Sequence, residues 1–149
     1  MAALSLSAVP QSVREIARGE PDRHLAALLS PAAAQPGLLV LAAFLAELAR
    51  IPHDVSDPMI GEIRLQWWRD AIDQVALGNR SGHPCADALG LAIAAHRLDP
   101  KSLHRIVDAR GQDIYRELFA DQAALEQCLR SEEHTFELPS PSAISYAVF

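Results

Sequence analysis

Asp54 and Asp57 stand three residues apart, a spacing at which two carboxylates on one helix face could share a hard cation such as Mg²⁺. Pro52 and Pro58 bracket them, so the pair is expected on a loop with Asp57 as an N-cap, and both rank only as weak metal candidates. Asp108 and Asp113, five apart, fall on different helix faces and cannot clamp one ion together. His24, His83, His96 and His104 form no His-Glu-x-x-His and no other helical ligand grouping, so no zinc site is expected. Arg64 and Arg69 could meet an anion, but Asp73, four residues after Arg69, makes an intrahelical pair the expected use of that arginine. Trp67 and Trp68 are read as core packing: neighbours on a helix point about 100° apart, so they fill two interhelical grooves and form no stacking platform. Cys85 and Cys128 have no partner spacing and read as buried or idle thiols in a reduced compartment.

The elements that must hold these residues are punctuated by proline and glycine. Pro21 opens a short helix over 22–29 in which Leu25, Leu28 and Leu29 form one stripe, closed by Ser30-Pro31. Pro36-Gly37 starts a second from Leu38 to about Arg50, with Leu41, Phe44, Leu45 and Leu48 on one face and Pro52 expected to end or kink it. Asp57 and Pro58 start a third, running to about Leu77 before Gly78-Asn79, and its apolar surface is wide enough to need several neighbours. Pro84 opens a fourth to about Ala95, Pro100 a fifth to about Leu118, and Asp121 caps a sixth. No segment alternates with period two, so the fold class is all-α, a bundle of about six helices. Residues 1–20 form an N-terminal lead segment and 21–129 the helical domain.

Nineteen acidic and thirteen basic side chains give a net charge of −6, which offers nucleic acid no attraction. The apolar run from Gly37 to Ala46 is shorter than the roughly twenty residues a membrane span needs, so no transmembrane segment is expected. Nor is a secretion signal read at Ala2-Ala3-Leu4, which lacks a basic flank. The expected location is cytoplasmic, with a peripheral membrane position as an extension of that reading.

The string Gly61-Glu-Ile-Arg-Leu-Gln-Trp-Trp-Arg-Asp70 resembles the squalene/phytoene synthase family. The order of other pieces matches too: Arg23-His-Leu-Ala-Ala-Leu28, Leu41-Ala-Ala-Phe44 with Glu47-Leu-Ala-Arg50, His83-Pro-Cys-Ala-Asp-Ala-Leu89, and Ile106 to Tyr115. The resemblance implies an isoprenoid-synthase-type bundle, here its N-terminal half. In catalytic members two prenyl diphosphates are joined head to head, and Mg²⁺ held by aspartate motifs neutralises the departing diphosphate. The positions that carry a tyrosine, an arginine and three metal-binding aspartates in such members fall on Ala42, Ala46, Ala49, Arg50 and His53. None is retained, and the second aspartate motif would lie beyond Leu129.

A serine near the first diphosphate in catalytic members corresponds to Arg23, and Asp113 matches a further family position. Arg23, Arg50, His53 and Asp113 are therefore the candidate anion- or ligand-binding residues, and no catalytic residue is assigned. Glu47 to Arg50 and Gly61 to Asp70 look closer to a non-catalytic branch of the family, resembling the mitochondrial complex I assembly factor. The expected function is a non-catalytic binding or assembly factor without a cofactor, engaging a protein partner at a membrane surface, an anionic lipid or a prenyl diphosphate. The alternative is a head-to-head prenyltransferase with an eroded first motif, which would require Mg²⁺. Residues 130–149 resemble a translated sequencing-library adapter, with Phe136 and Pro139 as departures, and are read as a non-native tail ending a truncated frame. A bundle cut in this way is expected to leave the second and third helices under-covered and the chain marginally stable.

Overall fold

The computed structural model describes residues 4–114, an all-α arrangement with no strand among them. A 3₁₀ turn at Leu6–Ala8 leads into α1 (Gln11–Ala17), α2 (Pro21–Leu29), α3 (Gln35–Asp54), α4 (Pro58–Ala76), α5 (Pro84–His96) and α6 (Pro100–Ile114). Proline occupies the first or second position of α2, α3, α4 and α5, where its missing N–H costs nothing and its fixed φ suits the helix. The end of α5 is set by Arg97 in the left-handed region (φ 52°), whose following residue, Leu98, donates its N–H to the Ile93 carbonyl at 3.2 Å. The sixth expected helix, from Asp121, and the 130–149 tail lie outside the described residues, as does Cys128.

Helix α3 is the axis of the bundle and packs against all five other α-helices. Leu39, Val40, Ala42, Ala43, Phe44, Ala46, Leu48 and Ile51 are buried along it. By length and composition α3 would suffice to cross a bilayer, but more than half of its apolar window is buried inside the protein, as the centre of a helical core requires. Pro52 does not end it at the expected place: it sits inside the last turn, and the helix continues to Asp54. Only the single hydrogen bond that the proline nitrogen cannot donate is lost.

The residues before Pro21, for which the sequence suggested only a lead-in, hold α1, whose Val13 and Ala17 are buried in the common core. On α2 the leucine stripe does not face inward as its spacing suggests. Ala27 is the buried position, while Leu25, Leu28 and Leu29 are exposed, because close approach of this short helix to its neighbours is made by the smallest side chain. Of the second and third helices expected to be under-covered, α4 exposes Met59, Ile60 and Ile63, whereas α3 exposes only Leu38 among its large apolar side chains.

Helices α4 and α6 meet along Leu65, Leu103, Val107 and Ile114. Their seam is edged by two cross-helix pairs: Arg69 Nε donates to Asp108 Oδ1 at 2.8 Å, and His104 Nε2 lies 2.8 Å from Asp73 Oδ1. The intrahelical Arg69 to Asp73 pair expected from spacing is thus replaced, since α6 presents each of them with a nearer partner.

Helices α4 and α5 approach closely at Gly90, where an added Cβ would lie 2.8 Å from Val75 Cβ and 3.2 Å from the Val75 carbonyl oxygen. At Gly111 on α6 an added Cβ meets only ordinary contacts, Leu65 Cδ1 at 3.7 Å and Glu62 Oε1 at 3.8 Å. Gly90→Ala is expected to destabilise the chain by about 1–3 kcal/mol through overpacking against backbone-proximal atoms. Gly111→Ala is expected to stabilise it by roughly 0.5–1 kcal/mol through helix propensity. Urea denaturation followed by circular dichroism checks both; the same sign for the two variants would contradict this packing.

Candidate functional site

Where α3 emerges from the core, one side of its last two turns carries Glu47, Arg50 and Asp54 with the buried Ile51 beside them. The connection from Val55 to Asp57 then reverses the chain. Asp57 caps α4 through its side chain, which accepts the Met59 N–H at 2.9 Å. This start brings Arg64, Trp67 and Trp68 of α4 against that end of α3, and His83, the N-cap residue of α5, closes the side. These residues line a cleft of about 420 Å³.

The cleft has an aromatic wall. Trp68 is 3% exposed and meets Phe44 edge-on, with ring centroids 5.2 Å apart. Trp67, set 5.1 Å from Trp68, is 40% exposed and faces the cleft. The reading of both tryptophans as core therefore holds for Trp68 and is corrected for Trp67: the 100° step between neighbours turns one ring into the interior and the other to the cleft. The His83 ring lies 5.2 Å from Trp67 and 5.5 Å from Trp68. Its Nδ1 is buried without a protein hydrogen-bond partner, an unfilled polar position in the wall.

The charges at the rim balance in number. Arg50 lies 3.9 Å from Glu47 and 3.6 Å from Asp54, and Arg64 lies 4.0 Å from Asp54. Such separations are those of loose ion pairs, and among the described residues neither guanidinium makes a hydrogen bond within the protein. Two positive charges beside the two carboxylates oppose a divalent cation there. No group of three or more metal-ligating side chains occurs among the described residues.

Of the residues singled out from sequence, Arg50, Asp54, Arg64, Trp67 and Trp68 are brought together here, while Arg69 is held by Asp108. Asp54 is the last residue of α3 and not a loop residue, because Pro52 fails to end the helix. Asp57 is the cap already described. His53 is exposed on α3 and does not line the cleft. Arg23 pairs with Glu20 on the α2 side, and Asp113 pairs with Arg110 at 3.1 Å on α6, so neither contributes. Glu47 and His83 join the site although the sequence reading gave them no ligand role. The i, i+3, i+7 run of Glu47, Arg50 and Asp54 was the signal for the first.

Cys85, in the first turn of α5, is fully buried, and desolvation, aided by the negative charge of Glu47, pushes its thiol up to about 12 from 9.0. Asp87, four residues after the α5 N-cap, accepts the Ser81 N–H at 2.7 Å and the Ser81 hydroxyl at 2.8 Å, and these bonds hold its carboxyl below the usual range. It pins the loop that carries His83, whose own N–H donates to the Ser81 hydroxyl oxygen at 3.1 Å.

The sequence model of the family described as squalene/phytoene synthase matches residues 16–130. "NADH dehydrogenase (ubiquinone) complex I, assembly factor 6" of Mus musculus is 32% identical over 105 residues, covering 70% of this chain and 32% of the relative. The protein of the same name from Rattus norvegicus is 36% identical over 93 residues (62% and 28%), and that from Homo sapiens 31% over 105 residues (70% and 32%). The chain thus spans about a third of the length of these relatives. No solved structure matches it.

The buried thiol gives a direct check on the site's packing. In a Cys128→Ser background, Cys85 is expected to resist a disulfide reagent at pH 8 and to react fully in denaturant, as thiol titration reads out. Its raised pKa also has a stability sign. Above the unfolded value of 9.0 the unfolded chain loses this proton while the folded chain keeps it towards 12, so stability should fall with pH across that window. Cys85→Ala should remove that part of the alkaline loss.

Proposed function

The chain belongs to the squalene/phytoene synthase family, and on that premise we propose that its parent is a non-catalytic member acting as an assembly factor for complex I. The observation that carries this reading is the cleft at the end of α3, where Arg50 takes a position that catalytic members give to an aspartate. Both cleft carboxylates, Glu47 and Asp54, stand beside guanidiniums. Ala42 and Ala46, at two more of the family's site positions, are buried in the core and offer no donor atoms. A diphosphate leaving group needs its charge neutralised by metal held on carboxylates, and this end of α3 supports no such arrangement. The assembly-factor relatives support the same branch, with a complex I component as the protein partner.

Arg50 and Arg64 keep unused donors, and the aromatic wall beside them suits an apolar tail. This supports an anion-headed amphiphile, an anionic lipid or a prenyl diphosphate, bound without metal and without turnover. The site of action is then the compartment in which complex I is built, at the membrane surface, rather than the cytoplasm at large. Burial of α3 within the bundle is in keeping with a peripheral position.

Deletion of the parent gene is expected to lower the amount of assembled complex I, measured by native gel electrophoresis, with recovery when the full-length gene is returned. Full-length protein given farnesyl or geranylgeranyl diphosphate and Mg²⁺ is expected to release no diphosphate. A squalene- or phytoene-type product in that assay would overturn the reading in favour of a prenyltransferase.

A further inference from the structure

Among the described residues, the outward leucines of α2 stay uncovered. Leu25 is 57%, Leu28 48% and Leu29 79% exposed, and Leu6, beside them across a groove, is 40% exposed. The apolar surface continues through Pro31, Ala32 and Ala33, which are also exposed, and no charged side chain occurs from Leu25 to Ala46. A single exposed leucine means little, but four together with this stretch make a patch of the kind that marks an interaction surface.

The border of this patch carries positive charge. Arg14 of α1 and Arg18, the C-cap residue one turn further on, line the groove with Leu6, Leu28 and His24. Among the described residues neither has an ion pair or a side-chain hydrogen bond, whereas Arg23, Arg50, Arg64, Arg69, Arg80 and Arg110 all stand beside carboxylates. Of the nearby acidic groups Glu20 is taken by Arg23, while Glu15 accepts a hydrogen bond from Gln11 at 2.8 Å and also lines the groove. Asp22 is in the first turn of α2, at the opposite end from Leu28 and Leu29. Arg97 and Arg105 also lack a carboxylate partner among the described residues, but neither lines this groove.

We propose that the α1 and α2 face is the docking surface of this protein for an anionic phospholipid bilayer. The leucines enter the boundary between headgroups and acyl chains, and Arg14 and Arg18 meet lipid phosphates. A bilayer presents an apolar interior behind an anionic border, which matches leucines flanked by unpaired arginines. The inference rests on the membrane-surface part of the reading above and names the face that makes the contact.

Flotation of the full chain with vesicles tests it. Binding is expected to equimolar phosphatidylglycerol and phosphatidylcholine and not to phosphatidylcholine alone, and to weaken as salt rises. Leu25→Glu with Leu29→Glu should weaken binding by about tenfold or more, and Arg14→Gln with Arg18→Gln on the order of tenfold. Leu77→Glu, at an equally exposed leucine beyond α4, should bind as the parent does. Circular dichroism of each variant verifies that its helices are intact. The proposal is overturned if the parent fails to bind anionic vesicles, if the folded leucine variant binds undiminished, or if Leu77→Glu loses binding equally. Reduced complex I assembly by the leucine variant with vesicle binding intact would instead make this face a protein dock. Failure in flotation leaves the deletion test of the assembly role standing, so the two readings fail separately.

Discussion

Burial of α3 is the constraint on which the rest of the structure depends. A twenty-residue helix with no charge before Glu47 has apolar side chains on every face and must be surrounded. The other helices are arranged to do so: all five pack against it, with His96 at the end of α5 against Gly37 in its first turn and Trp68 of α4 against Phe44 at its middle. Small residues make the close approaches, with Ala42, Ala43 and Ala46 on α3 and Ala27 on α2. Large residues fill what remains, chiefly Phe44 against Trp68.

The cleft follows from the same constraint. Charge becomes tolerable on α3 only where its last two turns reach solvent, so Glu47, Arg50 and Asp54 collect there, and α4 starts three residues later with Arg64 facing them. The site is polar at its rim and aromatic behind because it lies where the core meets water. Its two guanidiniums decide its chemistry. By charge they favour an anion over a divalent cation at this end of α3.

Much of this was legible in the sequence, and for local reasons. Proline at a helix start and Asp57 as a cap act within a few residues of themselves, so five of the six helix starts could be read directly. The departure of the early helix from the metal-binding pattern was also visible, since it needs only residue types at matched positions. Less legible was which residues share a space. The Arg69 pairing expected at i+4 went to Asp108, thirty-nine residues away, and Asp73 went to His104. Helix α1 carries too few apolar residues to announce itself, and is recognisable only once Val13 and Ala17 are seen against the core.

The sequence by itself determined the helical class, the placement of most helices and the family, because each of these depends on residue type and short-range spacing. Only the tertiary structure decided that α2 turns its leucines outward, that Trp67 faces the cleft while Trp68 is buried, and that Asp54 ends a helix beside Arg50 and Arg64. Those outcomes depend on which neighbours compete for the same space. Periodicity defines the apolar side of a helix, but the side that is buried is chosen by packing, and here the small Ala27 fits against the neighbouring helices where leucines would hold them apart.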